Sequence, residues 1–124
     1  MSQTYVYRAD QELPALALEW LDRDGAIVDF STGWTFTVKL SPAGDPGTVK
    51  FSKTTGVTGA ATLPNLLVDW AVTDWAALVA ASGALPAAGR RYLVHVYARR
   101  TADTKDRVFS PEDPPVVLLL PAPA

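Results

Sequence analysis

The sequence predicts an all-β sandwich that carries one short helix. Three observations carry that reading. Apolar residues recur at every second position in short runs, the pattern of strands that bury one face. Turn-forming clusters of Gly, Pro, Asp and Ser interrupt these runs at intervals of about eight to twelve residues, the spacing of small sandwiches. Only one stretch, beginning at Thr73, has a helical period.

The elements follow in order. Tyr5 and Tyr7 alternate with Thr4 and Val6 as a first strand. Residues 10–14 form a bend, because Pro14 drives Leu13 towards extended geometry. Leu16, Leu18 and Trp20 then share one face of a second strand. Asp22, Arg23, Asp24 and Gly25 make a tight turn, with Gly25 supplying positive φ and aspartates capping the backbone. Ile27 and Val28 continue extended, Phe30 follows, and Ser31, Thr32 and Gly33 turn the chain again. Trp34, Phe36, Val38 and Leu40 alternate with Thr35, Thr37 and Lys39 in the clearest strand of the sequence. After a loop over residues 41–47, a strand over 48–53 points Val49 and Phe51 inward. A weak strand is expected over 60–63.

The centre of the chain is residues 65–100. Leu66, Val68 and Trp70 alternate with Asn65, Leu67 and Asp69. Thr73 and Asp74 open a helix that Ser82 and Gly83 close, with Trp75, Leu78 and Val79 on its packing side. That helix is expected to bridge the two sheets, with Trp75 plugging the open end of the core. Tyr92, Val94, Val96 and Ala98 then face one way, and Leu93, His95, Tyr97 and Arg99 the other. A polar hairpin loop over 101–105 leads to a brief strand over 107–109. Residues 111–115 hold Pro111, Pro114 and Pro115 with Glu112 and Asp113, and cannot pair as a central strand. Val116, Val117, Leu118, Leu119 and Leu120 form the closing strand, and Pro121 to the end is a stiff exit.

Composition bounds the function. A chain of 124 residues with 48% hydrophobic and 19% charged residues is one domain's worth and argues against disorder. The net charge of -2 gives no field to attract nucleic acid or an anionic membrane. With no cysteine, disulfides and thiolate chemistry are excluded. Neither a secretory signal nor an apolar run of the ~20 residues that span a bilayer is visible, so no membrane insertion is expected.

Chemical motifs are few. His95 is the single histidine, so neither a triad with a second imidazole nor a two-histidine metal site fits one chain. Asp22, Asp24 and Asp29 miss the calcium-loop spacing and read as turn residues. Glu112 and Asp113 are adjacent in a Pro-rich loop rather than opposed across a cleft. Gly56 and Gly59 lack a following Lys-Ser or Lys-Thr, so they make no phosphate loop. Arg90, Arg91, Arg99, Arg100, Lys105 and Arg107 read as solvated strand ends, with Asp103 and Asp106 beside them. No catalytic, cofactor-binding or metal residue is therefore assigned, and the chain is expected not to be an enzyme. Trp20, Trp34, Trp70 and Trp75 fall in the apolar register of their elements and read as core. Tyr5, Tyr7 and Tyr97 are the candidates for an exposed contact surface. The run from Val116 through Val117, Leu118, Leu119 to Leu120 is apolar on both faces. If one sheet face meets water, Val117 and Leu119 need cover from the helix or from a neighbouring subunit, and a partner protein is the expected cover.

The order of these signals resembles the immunoglobulin-like N-terminal domain family of phage baseplate upper proteins. The residues that carry the resemblance are Leu16 to Leu18 before Asp24-Gly25, then Phe30-Ser31-Thr32-Gly33-Trp34 leading into Thr35-Phe36-Thr37-Val38-Lys39-Leu40. Further on come Leu67-Val68-Asp69-Trp70, Thr73-Asp74, Arg91-Tyr92-Leu93-Val94-His95-Val96 and Val117-Leu118-Leu119-Leu120-Pro121. The resemblance implies an immunoglobulin-like sandwich over residues 1–124 that serves as an attachment or assembly module without an active site. It implies a virion location, assembled in the host cytoplasm, in the tail or baseplate or on the capsid surface. The implied partners are other virion proteins and further copies of the same chain, with no nucleic acid. Capsid decoration and a carbohydrate-binding adhesion module for host-surface glycan are the alternative roles. If residues 116–124 only dock the particle, removing them should leave a folded domain that fails to assemble.

Overall fold

In the computed structural model the described residues are 4–12, 14–22, 24–102, 106–108 (backbone only) and 115–122. Among them the strands are β1 (Thr4–Arg8), β2 (Leu16–Leu18), β3 (Trp34–Pro42), β4 (Phe51–Lys53), β5 (Val57–Gly59) and β6 (Leu66–Val68). The helix α1 (Val72–Ser82) follows, then β7 (Arg90–Arg100), β8 (Asp106–Val108) and β9 (Val116–Leu120). The larger sheet has the order β1-β9-β7-β3-β4, with β8 also against β7. The smaller has the order β2-β6-β5. β3 and β7 pair antiparallel from Trp34↔Arg100 to Pro42↔Tyr92, which makes them the spine of the larger sheet. The chain changes sheet between β1 and β2, between β2 and β3, between β4 and β5, and through α1 between β6 and β7. With β2, β6 and β5 packed over β3, β7 and β9, this is an immunoglobulin-like β-sandwich with one short bridging helix.

The alternation decides the core. Val38 and Leu40 of β3, and Tyr92, Val94, Val96 and Ala98 of β7, point inward and are buried. Leu16, Leu18, Leu66 and Val68 meet them from the smaller sheet. Trp75 and Leu78 descend from α1 into the same core, as the helical spacing requires. The Trp75 indole N–H donates to the Gln11 carbonyl at 2.7 Å, so its one polar atom is satisfied where water is excluded.

α1 starts at Ala71, which has no capping side chain. The Asp74 carboxylate, at the third helical position, takes the Ala71 N–H at 2.9 Å and so satisfies the donor of the N-cap residue itself. The Lys53 ammonium lies 3.0 Å from that carboxylate and 4.5 Å above the Trp70 ring, and also donates to the Asp69 carbonyl. These contacts tie β4 of one sheet to the chain that leaves the other. At the far end Gly83 has φ of 91° and donates its N–H to Val79, which stops the helix.

Several expectations shift. The strand expected over 48–53 pairs only from Phe51, and Val49 is 48% exposed rather than inward. The weak strand expected over 60–63 lies instead at Val57–Gly59. The cause is local: a Cβ on Gly59 would sit 2.1 Å from the Phe30 carbonyl oxygen, so only glycine lets these two segments touch. Asn65 does not face outward but is fully buried. Its side chain accepts from the Trp20 N–H at 2.7 Å and donates to the Trp20 and Val28 carbonyls at 2.8 Å each. One amide thereby fixes the loop between β2 and β3, which has little secondary structure of its own.

Candidate interaction surface

β9 pairs with β1 on one side and β7 on the other, so it lies inside the sheet and not at its edge. Its register decides which side chains are buried. Val117 stands opposite Tyr92 and Tyr5, and Leu119 opposite Arg90 and Tyr7, on the inner face. Both Val117 and Leu119 are fully buried within the chain itself. The expectation that they need cover from a partner is thus corrected. The sequence could not fix the phase, because five successive apolar residues have no period. The outward set is Val116, Leu118 and Leu120, all half-buried.

Tyr7 is corrected in the same way. Its ring is 2% exposed and packs on Trp70 and Trp75, so it is core rather than contact surface. Burial pushes its hydroxyl up to about 12. The Trp70 indole pulls weakly the other way without forming a bond of ordinary geometry. Tyr5 is half-buried on the same inner face, and its hydroxyl is raised first by burial and then by the Glu19 charge. Tyr97 alone of the three lies on the outer face, half-buried, with the Lys39 ammonium 4.7 Å from its ring.

The outer face holds a different set. Val6 lies opposite Leu118, which also faces Arg91, while Val116 faces Leu93. Val6 is 55% exposed and Leu93 is half-buried. Val6, Leu118, Val116, Leu120 and Leu93 therefore form a continuous apolar stripe across β1, β9 and β7. The exposed Arg8 and Arg91 lie on the same face. Val6 and Leu93 escaped the sequence reading. The signal available was their alternation with the inward tyrosines at 5, 7 and 92, but pairing of β1 with β9 joins residues over a hundred positions apart. His95, further along β7, is half-buried, and desolvation holds its imidazole below the usual histidine range.

The aspartates of the second loop are spent on turns. Asp22 accepts from the N–H groups of Asp24 and Ala26 at 2.9 and 3.0 Å, and Gly25 has φ of 81°. Asp29 accepts from the Ser31 N–H and hydroxyl, which lowers its carboxyl. Glu112, Asp113, Asp103, Lys105, Phe109 and the final Pro123-Ala124 lie outside the described residues. Among the described residues no group of three or more potential metal ligands comes together. No described helix is long and apolar enough to cross a membrane. No protein-family model, curated protein or solved structure matches the chain.

Proposed function

We propose that the chain is a non-enzymatic structural protein of a phage particle, an immunoglobulin-like assembly module of the tail, the baseplate or the capsid surface. The observation that carries this reading is the apolar outer stripe of Val6, Leu93, Val116, Leu118 and Leu120. Such a stripe on the solvent side of a sheet gains free energy only when another surface covers it. The virion setting rests on the sequence resemblance alone. Assembly would bury the stripe against the shell or tail and against further copies, with an interface on the order of 1,600 Å² in total.

Truncation at residue 116 cannot test this, because it removes Val117 and Leu119 from the core. The sharper test changes the outer face only. Tagged chain is supplied during infection, and its recovery in purified particles is compared for wild type and the double variant Val6→Lys, Leu118→Lys. Recovery should fall by about tenfold, with the unfolding free energy altered by no more than about 1 kcal/mol. A wild-type chain absent from purified particles would sink the reading. The glycan alternative calls for an exposed tryptophan pair. Trp70 and Trp75 are buried, and Trp20 and Trp34 are half-buried with edge-on contacts to Phe30, so no observation favours it.

A further inference from the structure

Among the described residues, the side of the sandwich away from β1 carries two open strand edges that face a common cleft. The hydrogen-bond phase shows which groups are free. Thr101 donates its N–H to Gly33, and Ala43 donates to Arg91, each at 3.0 Å. Odd-numbered residues of β3 thus spend their main-chain groups on β7. Trp34 and Phe36 must turn their N–H and C=O the other way. On that edge β4 covers only the stretch from Val38 to Leu40. Likewise Asp69 donates to Gly56 at 2.7 Å and Ala60 to Asn65 at 3.0 Å, which leaves the main-chain groups of Val57 pointing away from β6. Between these edges lies a cleft of about 620 Å³. Phe30, Phe36 and Val57 line it together with threonines, and among the described residues no charged side chain does.

We propose that this cleft receives a short extended segment of a partner protein, which adds to the start of β3 as a strand. The uncovered stretch over residues 34–37 is about 13 Å long at a rise of about 3.3 Å per residue, enough for a segment of about four residues. The chemistry of the occupant follows from the lining. Alternate side chains of the segment would meet Phe36 and Val57 and should be uncharged and apolar, because a charge there finds no partner. The intervening ones share the outer face with Thr35 and Thr37 and can be polar. A folded domain presenting its own sheet edge does not fit, because Lys53 of β4 stands opposite Val38 on the same edge. A sugar is disfavoured as well. The Arg100 guanidinium lies 5.1 Å from the Trp34 ring, and the indole N–H is committed to the Asp29 carbonyl at 3.0 Å. What the cleft offers is unpaired backbone, and backbone is its natural complement. This surface is separate from the apolar stripe on β1, β9 and β7, so either can fail without the other.

The test is amide hydrogen exchange on the full chain, read residue by residue. The probe is a soluble peptide of about eight residues alternating valine and threonine between terminal lysines, at about 1 mM. The Trp34 and Phe36 amides should slow by about tenfold or more. The same peptide with alternate amides N-methylated should have no effect, nor should maltohexaose. Thr54→Trp, which fills the mouth of the cleft from an exposed position, should abolish the protection while leaving the thermal midpoint in place. If that variant fails to fold, the N-methylated arm still decides. Unchanged exchange at Trp34 and Phe36, equal protection by both peptides, or protection by the oligosaccharide alone overturns the proposal.

Discussion

Two aromatic groups occupy opposite ends of the sandwich, and they are built differently. At the end where β7 begins, Trp70 stacks on Trp75 with ring centres 4.7 Å apart, and Tyr7 closes on Trp75 at 5.3 Å. All three are at most 2% exposed beneath α1. At the end where β7 finishes, Trp20, Trp34 and Phe36 surround Phe30 edge-on, at 5.0 to 5.5 Å. Only Phe30 is buried there; its neighbours are half-buried. In the first group α1 itself supplies Trp75, which packs on both Trp70 and Tyr7. The second is closed by a loop held through Asn65 and by the tight Gly59–Phe30 approach, and it opens onto the cleft. One end of the fold is therefore a stability element, and the other keeps strand edges and ring surface available for contact.

The comparison breaks most visibly on truncation. Trp75→Ala should cost about 3–5 kcal/mol, since it empties a fully enclosed site and strands the Gln11 carbonyl. Trp34→Ala should cost about 1–2 kcal/mol, because part of its surface already meets water. Denaturant titration of both variants tests the pair, and equal losses would remove the distinction between lid and open end.

Asn65→Ala is the next largest change. It removes the amide's bonds to the Trp20 N–H and to the Trp20 and Val28 carbonyls, of which the Trp20 carbonyl keeps the Val28 N–H at 3.3 Å, at a cost of about 2–3 kcal/mol. The loss should come with faster acrylamide quenching of tryptophan fluorescence, as Trp20 loosens while Trp70 and Trp75 stay shielded. A variant as stable as wild type would show that the loop is held some other way.

The smallest effect is a slope in pH. The Tyr7 hydroxyl is raised from 10.0 to about 12 by burial. Between those values the unfolded chain releases its proton while the folded chain keeps it, so stability falls as pH rises through that window. Tyr7→Phe should flatten this alkaline slope. An unchanged slope would mean that the hydroxyl reaches solvent.

Much of this architecture is legible in the residues. Trp34, Phe36, Val38 and Leu40, and again Tyr92, Val94, Val96 and Ala98, alternate cleanly because each strand has one wet and one dry side. The α1 boundaries follow from Asp74 and Gly83 for reasons contained within a single turn. The candidate surface was less legible. Val116 to Leu120 has no polar member to mark its outer side, and tyrosines at 5 and 7 fit a dry or a wet face equally well. Asn65, a polar residue between apolar ones, concealed a buried bridge whose partners lie 37 and 45 positions away.

By itself the sequence determined the class of fold, the helix and most strands, because periodicity and turn chemistry act over a few neighbouring residues. Only the tertiary structure decided that β1 runs parallel to β9, that Tyr7, Val117 and Leu119 turn inward, and that β3 and β5 leave edges unpaired among the described residues. Those outcomes depend on register between segments far apart in the chain. A shift of one residue there exchanges every inward side chain for an outward one, and nothing local records which register was taken.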